Sequence, residues 1–296
     1  MIGFSSMGRL QVLSAAEVDQ FIDLGWVAVE DCFSREQALA ATRQWAADEG
    51  LCLERPREWG FEARFCALRQ PIDGRTFAPK AYAVLEDLVG EGRIYKGRWR
   101  WNAFVVNACL GDPSLPRIPP LDVDYPGDPT GRVGWHVDGD FFTHFLDSPE
   151  KGLVTIQYFT DVEPGGGPTV VSEDSYPEIA RYLAEHPEGV PPQQIDPGVK
   201  SRVPFRRQRA LPGPAGTVLF LHPFLLHASS PNTSGRARVA SLSNVRLAEP
   251  MRFDDWGNAS VVERSIIQAL GGVPFQFQPT GPRLLQHPDR SNYSVT

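Results

Sequence analysis

Cysteine is scarce in this chain, and long apolar segments are missing. The 296 residues include four cysteines, none of them in a Cys-x-x-Cys pair, which argues against a zinc ribbon. No apolar run approaches the roughly 18 residues that a membrane-spanning helix needs. Residues 1–13 contain no long apolar core and no cleavage-like site, so we expect no secretory signal. These absences predict a cytoplasmic protein with free thiols and no membrane partner.

Positively charged residues are fewer than negatively charged ones. The sequence also lacks internal repeats and low-complexity linkers. The chain has 29 Lys and Arg against 36 Asp and Glu, a net charge of −7. This balance argues against a general nucleic-acid-binding protein. Glycine and proline are plentiful, with 27 of each, which is typical of many turns between short strands. We therefore expect one soluble domain over residues 1–296.

Helical patterns come first in the chain and strand patterns follow. Residues 1–98 are predicted to be mostly a helical cover. Residues 99–246 contain runs of β-branched and aromatic residues, such as 153–160, that predict strands. Residues 247–296 are predicted to form a helix over 261–270 and an irregular tail. This order favours an α+β, mainly β fold with a sandwich or barrel core.

The sequence His136-Val137-Asp138 is the pattern most typical of a metal site. Residues i and i+2 of an extended strand point to the same face, so the imidazole and the carboxylate converge. Candidates for a third ligand lie far downstream, at His222 and His227. Two histidines and one carboxylate suit non-haem Fe(II) and leave coordination positions open. The residues by themselves do not decide between the two histidines.

Several other residues are candidates for the surroundings of this site. Strand alternation places Asn107 and Gln157 at inward-facing positions, where each could contact a ligand or form an internal hydrogen bond. Segment 111–130 contains six prolines and is predicted to be a lid or binding loop. Segment 200–209 carries five positive charges, which fit a solvated face or a docking site for an anionic substrate group. Four residues flank the His-x-Asp pair and could line a substrate pocket or pack in the core: Trp135, Phe141, Phe142 and His144.

The downstream histidines lie in a segment that carries a family resemblance. It reads Gly216-Thr-Val-Leu-Phe-Leu-His222, and then His227-Ala-Ser-Ser-Pro-Asn-Thr-Ser-Gly-Arg-Ala-Arg238. With His136-x-Asp138 and the glycine turn before Thr169, this order resembles the phytanoyl-CoA dioxygenase family. The resemblance implies a double-stranded β-helix, a jelly-roll or cupin-like core, with flanking N-terminal helices. It also implies Fe(II), 2-oxoglutarate as co-substrate, and O2.

The resemblance also implies which residues hold the metal. His136 and Asp138 match the first two ligands of the family. His227 matches the third, because the serine, asparagine and arginine that follow it fall in register with the family pattern, whereas His222 has no such register. Asp138 stands where related halogenases have glycine or alanine, which favours hydroxylation or another oxidation over halogenation.

The co-substrate residues follow from the same register. Arg238 matches the arginine that binds the far carboxylate of 2-oxoglutarate, although strand alternation alone would equally allow Arg236. Thr169 matches a position that contacts 2-oxoglutarate in the family, and Asn107 and Gln157 are added as contacts by strand parity. Arg246, on the predicted face of Arg238, is a candidate substrate contact.

The resemblance implies oxidation, by hydroxylation, of a small organic molecule or natural-product intermediate. In such a reaction 2-oxoglutarate is decarboxylated to succinate and CO2. Two alternatives stay open: a non-catalytic jelly-roll binding protein, and a cupin-type metalloenzyme that does not use 2-oxoglutarate. We expect a monomer or homodimer that acts on a small molecule.

Overall fold

The computed structural model describes residues 10–61, 63–108 and 134–285. The predicted loop 111–130 and Cys109 lie outside these residues. The helices are α1 (Ala15–Leu24), α2 (Arg35–Glu49), α3 (Gly74–Phe77), α4 (Pro79–Val89), α5 (Ser175–Glu185), α6 (Pro192–Lys200) and α7 (Val261–Ala269). The strands are β1 (Trp26–Val29), β2 (Ala63–Asp73), β3 (Arg100–Asn107), β4 (Leu153–Tyr158), β5 (Thr169–Ser172), β6 (Gln208–Leu211), β7 (Val218–Leu221), β8 (His227–Ser229) and β9 (Arg238–Val245).

The strands form two antiparallel sheets. The large sheet has the order β1-β7-β4-β9-β3-β2, and the small sheet has the order β6-β5-β8. Side chains join them: the Tyr158 hydroxyl on β4 donates to the Leu211 carbonyl on β6 at 2.7 Å. The predicted α+β, mainly β class is confirmed, with the two sheets layered as in a jelly roll. None of the described helices has the length and apolar character that a membrane span requires.

Strand register gives the large sheet an inner and an outer face. Arg238 on β9 is paired with Asn107 on β3, and Ala240 on β9 is paired with Tyr158 on β4. Directly paired residues share a face, so these side chains all point toward the small sheet. The opposite face packs against the N-terminal helices, where Trp45 of α2 contacts Phe104 with ring centroids 5.8 Å apart.

The N-terminal region supplies more than helices. The helices α1 and α2 begin as the sequence indicates, since Ser14 and Ser34 each form a capping box. In addition, β1 and β2 form the two edges of the large sheet. The pattern of β2 is hard to recognise because an edge strand is mostly exposed, and within it Cys66 alone is buried.

Candidate metal and co-substrate site

The small sheet brings His136 and His227 together. His227 lies on β8, and His136 pairs with it through reciprocal backbone hydrogen bonds of 3.1 and 3.2 Å. The next amide along, that of Val137, donates to Asp196 Oδ1 on α6 at 2.9 Å. His136 therefore extends the small sheet beside β8, and Asp138, two residues further, follows on the same face.

Three potential metal ligands converge at this point. His136 Nε2 lies 3.5 Å from Asp138 Oδ1, and His227 Nε2 lies 3.7 Å from Asp138 Oδ2. All three ligand atoms lie within 4.8 Å of one another. His222, the other candidate, is buried among aromatic rings and accepts the Phe224 amide at Nδ1. The structure thus brings His227, and not His222, together with His136 and Asp138.

Backbone carbonyls orient both imidazoles toward the common point. His136 Nδ1 lies 2.8 Å from the Gly134 carbonyl, and His227 Nδ1 lies 3.1 Å from the Leu225 carbonyl. A proton on Nδ1 that is donated to a carbonyl leaves Nε2 with a free lone pair, as a metal ligand requires.

The donor set fits Fe(II). Asp138 Oδ2 and His227 Nε2 are buried without a hydrogen-bond partner in the part of the chain that the structure describes. Buried polar atoms are normally paired, and a cation between the three side chains would satisfy both. Two imidazoles and one carboxylate on one side of the ion form the facial set that suits non-haem Fe(II).

The pKa values of Asp138 and His227 favour the protonation states that bind a divalent cation. Burial raises the pKa of Asp138, but His227, His136 and Lys151 outweigh it and bring that pKa to about 2. Burial lowers the pKa of His227 to about 4. At neutral pH the carboxylate is therefore ionised and the His227 imidazole is neutral, which are the states that bind metal.

Arg238 lies on the inner face with unsatisfied donor capacity. It is 2% exposed, and its Nη2 donates to the Thr169 hydroxyl at 3.0 Å. Its Nε is buried without a partner among the described residues, and its guanidinium lies 5.5 Å from the centre of the Tyr158 ring. Arg236, the competitor, is exposed and paired with Glu163. The structure therefore places Arg238, and not Arg236, inside the fold.

Comparison with known protein families agrees with this geometry. Residues 121–240 match the sequence model described as phytanoyl-CoA dioxygenase (PhyH). Over these 120 of its 296 residues, the chain resembles that family. It belongs among the oxidoreductases that depend on Fe(II) and 2-oxoglutarate. A search of curated proteins finds no significant sequence relative of this oxygenase.

Solved structures of similar shape share little sequence with the oxygenase. The non-haem α-ketoglutarate-dependent carbocyclase SnoK from nogalamycin biosynthesis has 17% identity and a TM-score of 0.47, covering 95% of this chain and 100% of its own. The epimerase SnoN from the same biosynthesis has 14% identity and a TM-score of 0.46, with 93% of each chain covered. HygX from Streptomyces hygroscopicus, with nickel and 2-oxoglutarate bound, has 14% identity and a TM-score of 0.44, with 78% and 86% covered. At these values the likeness identifies neither substrate nor reaction.

Strand register corrects the interpretation of Gln157 in this oxygenase. Gln157 is paired with Ser241, whereas Tyr158 is paired with Ala240 on the face of Arg238. Gln157 consequently points to the helical side, where both atoms of its buried amide lack a partner within the described residues. Asn107 shares the face of Arg238, and its amide nitrogen donates to the Ser230 carbonyl at 3.2 Å.

Arg246 is also separated from the site of the oxygenase. It lies eight residues beyond Arg238, just past the end of β9, which is about 27 Å along a strand that rises about 3.4 Å per residue. Its exposed guanidinium covers the Tyr95 ring at 4.5 Å. This position gives no support to a contact between Arg246 and substrate, which stays a prediction, because a shared strand face does not bring distant positions together.

The four aromatic and histidine candidates next to the metal pair of the oxygenase differ in exposure. Trp135 is buried against Phe205, with ring centroids 5.6 Å apart. Phe142 and His144 are buried together with centroids 4.5 Å apart, and His144 Nε2 is 2.8 Å from the Gly139 carbonyl. Phe141 is half-buried beside Phe142. A role for these residues in substrate binding stays a prediction.

Lys151 is a neighbour of this site that sequence reasoning missed. Its side chain is 1% exposed, and its Nζ donates to the main-chain carbonyl of Asp138. Burial lowers the pKa of Lys151 to about 7, against the opposing influence of Asp138 and Asp196. In sequence, Glu150-Lys151 looks like an ordinary solvated loop, and no local signal indicates a buried lysine.

Gly139 is expected to be required for the turn that follows Asp138. It has φ of +114°, and a Cβ there would lie 2.5 Å from Phe142 Cε1 and 2.9 Å from His144 Cε1. We expect Gly139→Ala to destabilise the protein by about 1–3 kcal/mol through overpacking. Thermal unfolding of the metal-free protein measures this. Gly50→Ala is a control at the C-terminus of α2, with similarly positive φ but no atom within 4 Å of the added Cβ, and it should cost less.

Proposed function

We propose that this oxygenase hydroxylates a small organic molecule or natural-product intermediate while converting 2-oxoglutarate to succinate and CO2. The observation that supports this most strongly is that two groups of buried polar atoms between the sheets lack binding partners. One is the group of three converging donors, and the other is the buried guanidinium of Arg238 with an unpaired Nε. The first suits a metal cation, and the second suits an anionic co-substrate.

Each residue has a defined part in this proposal. His136, Asp138 and His227 would hold Fe(II), which when bound supplies the redox chemistry that couples O2 to oxidation of the co-substrate and substrate. Arg238 would bind the far carboxylate of 2-oxoglutarate through charge-assisted hydrogen bonds that a lysine cannot match in geometry. Thr169 would orient the guanidinium through the hydroxyl that already accepts its Nη2 proton.

One assay distinguishes the proposed function from the two alternatives, a cupin-type enzyme and a non-catalytic binding protein. The protein is incubated with Fe(II), O2 and 2-oxoglutarate, and succinate is measured with and without candidate substrates. We expect iron-dependent succinate formation even without substrate, at a slow uncoupled rate. A cupin-type enzyme that does not use 2-oxoglutarate would leave it intact, and so would a non-catalytic binding protein. Metal binding without any 2-oxoglutarate consumption would contradict the proposal and favour the cupin-type alternative.

The carboxylate of Asp138 is expected to be essential for turnover. Asp138→Gly removes one of three ligands and opens a position next to the two histidines. Loss of a residue that only hydrogen-bonds to a metal ligand typically costs about 10- to 100-fold in affinity or activity. Loss of a ligand itself should cost more, so we expect iron-dependent succinate formation to fall by at least about 100-fold. The parent protein should yield no chlorinated product in the presence of chloride, because Asp138 occupies that position. Detection of a chlorinated product from the parent by mass spectrometry would contradict this role.

A further inference from the structure

Among the described residues, few hydrogen bonds reach the main chain of Asp138 itself. His136 is held by β8 through two hydrogen bonds, and Val137 is held by Asp196. Immediately after Asp138 the chain turns at Gly139 with positive φ and leaves the sheet. The backbone pairing with β8 is an isolated bridge at His136, so it does not extend to the residue whose carboxylate completes the donor set.

Among the described residues, the side chain that hydrogen-bonds to the main chain of Asp138 is that of Lys151. The Lys151 side chain is almost completely buried, and its Nζ donates to the Asp138 carbonyl oxygen. Both an ammonium group and a neutral amine carry N–H bonds, so this donation does not depend on the protonation state of Lys151. The contact restrains the peptide at the start of the turn, directly beside the carboxylate.

Stability alone gives a poor account of a lysine at this position. None of the ion pairs formed by the described residues includes Lys151, and burying an amine without such a partner is costly. An apolar side chain of similar length would avoid this cost, since buried charged groups are often replaced by apolar ones without loss of stability. A residue that is unfavourable for folding and adjacent to a functional group indicates a functional requirement.

We propose that Lys151 is a positioning residue, which fixes the main chain of Asp138 so that its carboxylate meets the imidazoles of His136 and His227. The proposal rests on the metal site of the proposed function. It assigns to Lys151 an effect on metal affinity that mere packing would not have. Outer hydrogen-bond partners of metal ligands typically contribute 10- to 100-fold to affinity or activity.

The test compares Lys151→Met with a matched control, Lys80→Met. Lys80 also donates its Nζ to a main-chain carbonyl, that of Glu30 at 2.7 Å, but on the exposed surface. Affinities for Fe(II) and for Mn(II) are measured by anaerobic calorimetric titration, and the melting temperature of each metal-free protein is recorded. We expect Lys151→Met to bind both metals about 10- to 100-fold more weakly with an unchanged or higher melting temperature. Lys80→Met should bind metal as the parent does.

The outcomes separate the two proposals. If the parent binds no metal, the proposed function fails and the role of Lys151 fails with it. If the parent binds metal and Lys151→Met binds it within twofold of the parent, only the role of Lys151 is overturned. If Lys151→Met does not fold, Lys151→Gln takes its place, since its amide is polar but its chain is one atom shorter and leaves the N–H short of the Asp138 carbonyl. We expect weaker metal binding from it as well, and parental affinity would overturn the proposal.

Discussion

Arg238→Ala is expected to weaken 2-oxoglutarate binding by roughly 30- to 4,000-fold. Removing one partner of a buried, hydrogen-bonded charge pair costs about 2–5 kcal/mol, largely because the other charge is left unpaired, and each 1.4 kcal/mol is about tenfold in affinity. Arg238 is buried on the inner face and has an unpaired Nε for such a partner. Fe(II) affinity should change little, because Arg238 is not one of the three converging donors.

The measurement is succinate formation as a function of 2-oxoglutarate concentration. Arg238→Gln tests the charge while keeping a hydrogen-bond donor, and we expect it to be impaired as well. Arg236→Ala is the matched control, since it removes an arginine two residues away that is exposed and paired with Glu163. If Arg236→Ala were the impaired variant, the register of the proposed co-substrate site would be wrong. If neither arginine mattered, a metalloenzyme that does not use 2-oxoglutarate would be the better interpretation.

The parts of the site that the sequence predicted are those with local or motif-level signals. The same-face pair His136 and Asp138 follows from the two-residue repeat of a strand. His227 required more, because nothing local distinguishes it from His222, and the register of the family pattern made the choice. The structure gives the physical reason: β8 begins at His227 and carries it to His136, whereas His222 follows the end of β7 and is enclosed by Tyr176 and Phe224.

The parts that the sequence did not predict depend on contacts between distant segments. Alternation along β4 distinguishes two faces but does not say which is the inner one, and the pairing of Tyr158 with Ala240 decides that Gln157 is on the outer face. Lys151 is buried within electrostatic range of Asp196 and His222, which are far away in sequence, so the residues next to it in the chain give no indication of its burial. The edge strand β2 is mostly exposed, so it lacks the alternation of apolar residues by which strands are recognised.

His227→Ala is expected to weaken metal binding, whereas His222→Ala is expected to lower stability. His227→Ala removes a ligand, so Fe(II) affinity should fall by more than the roughly 100-fold that loss of an outer partner can cost. His222→Ala removes a fully buried ring that contacts Phe21, Tyr176 and Phe224. It should lower the free energy of unfolding by about 2–5 kcal/mol, as large-to-small core substitutions do, with Fe(II) affinity retained.

Anaerobic Fe(II) titration and thermal unfolding, each with and without metal, measure both effects. A ligand that binds only the folded state stabilises it by about 2.7 kcal/mol at a free concentration 100 times its dissociation constant. We therefore expect Fe(II) to raise the melting temperature of the parent and of His222→Ala, but not that of His227→Ala. The reverse pattern would move the third ligand to His222. That exchange would require the segment between β7 and β8 to rearrange, because His222 Nδ1 already accepts the Phe224 amide.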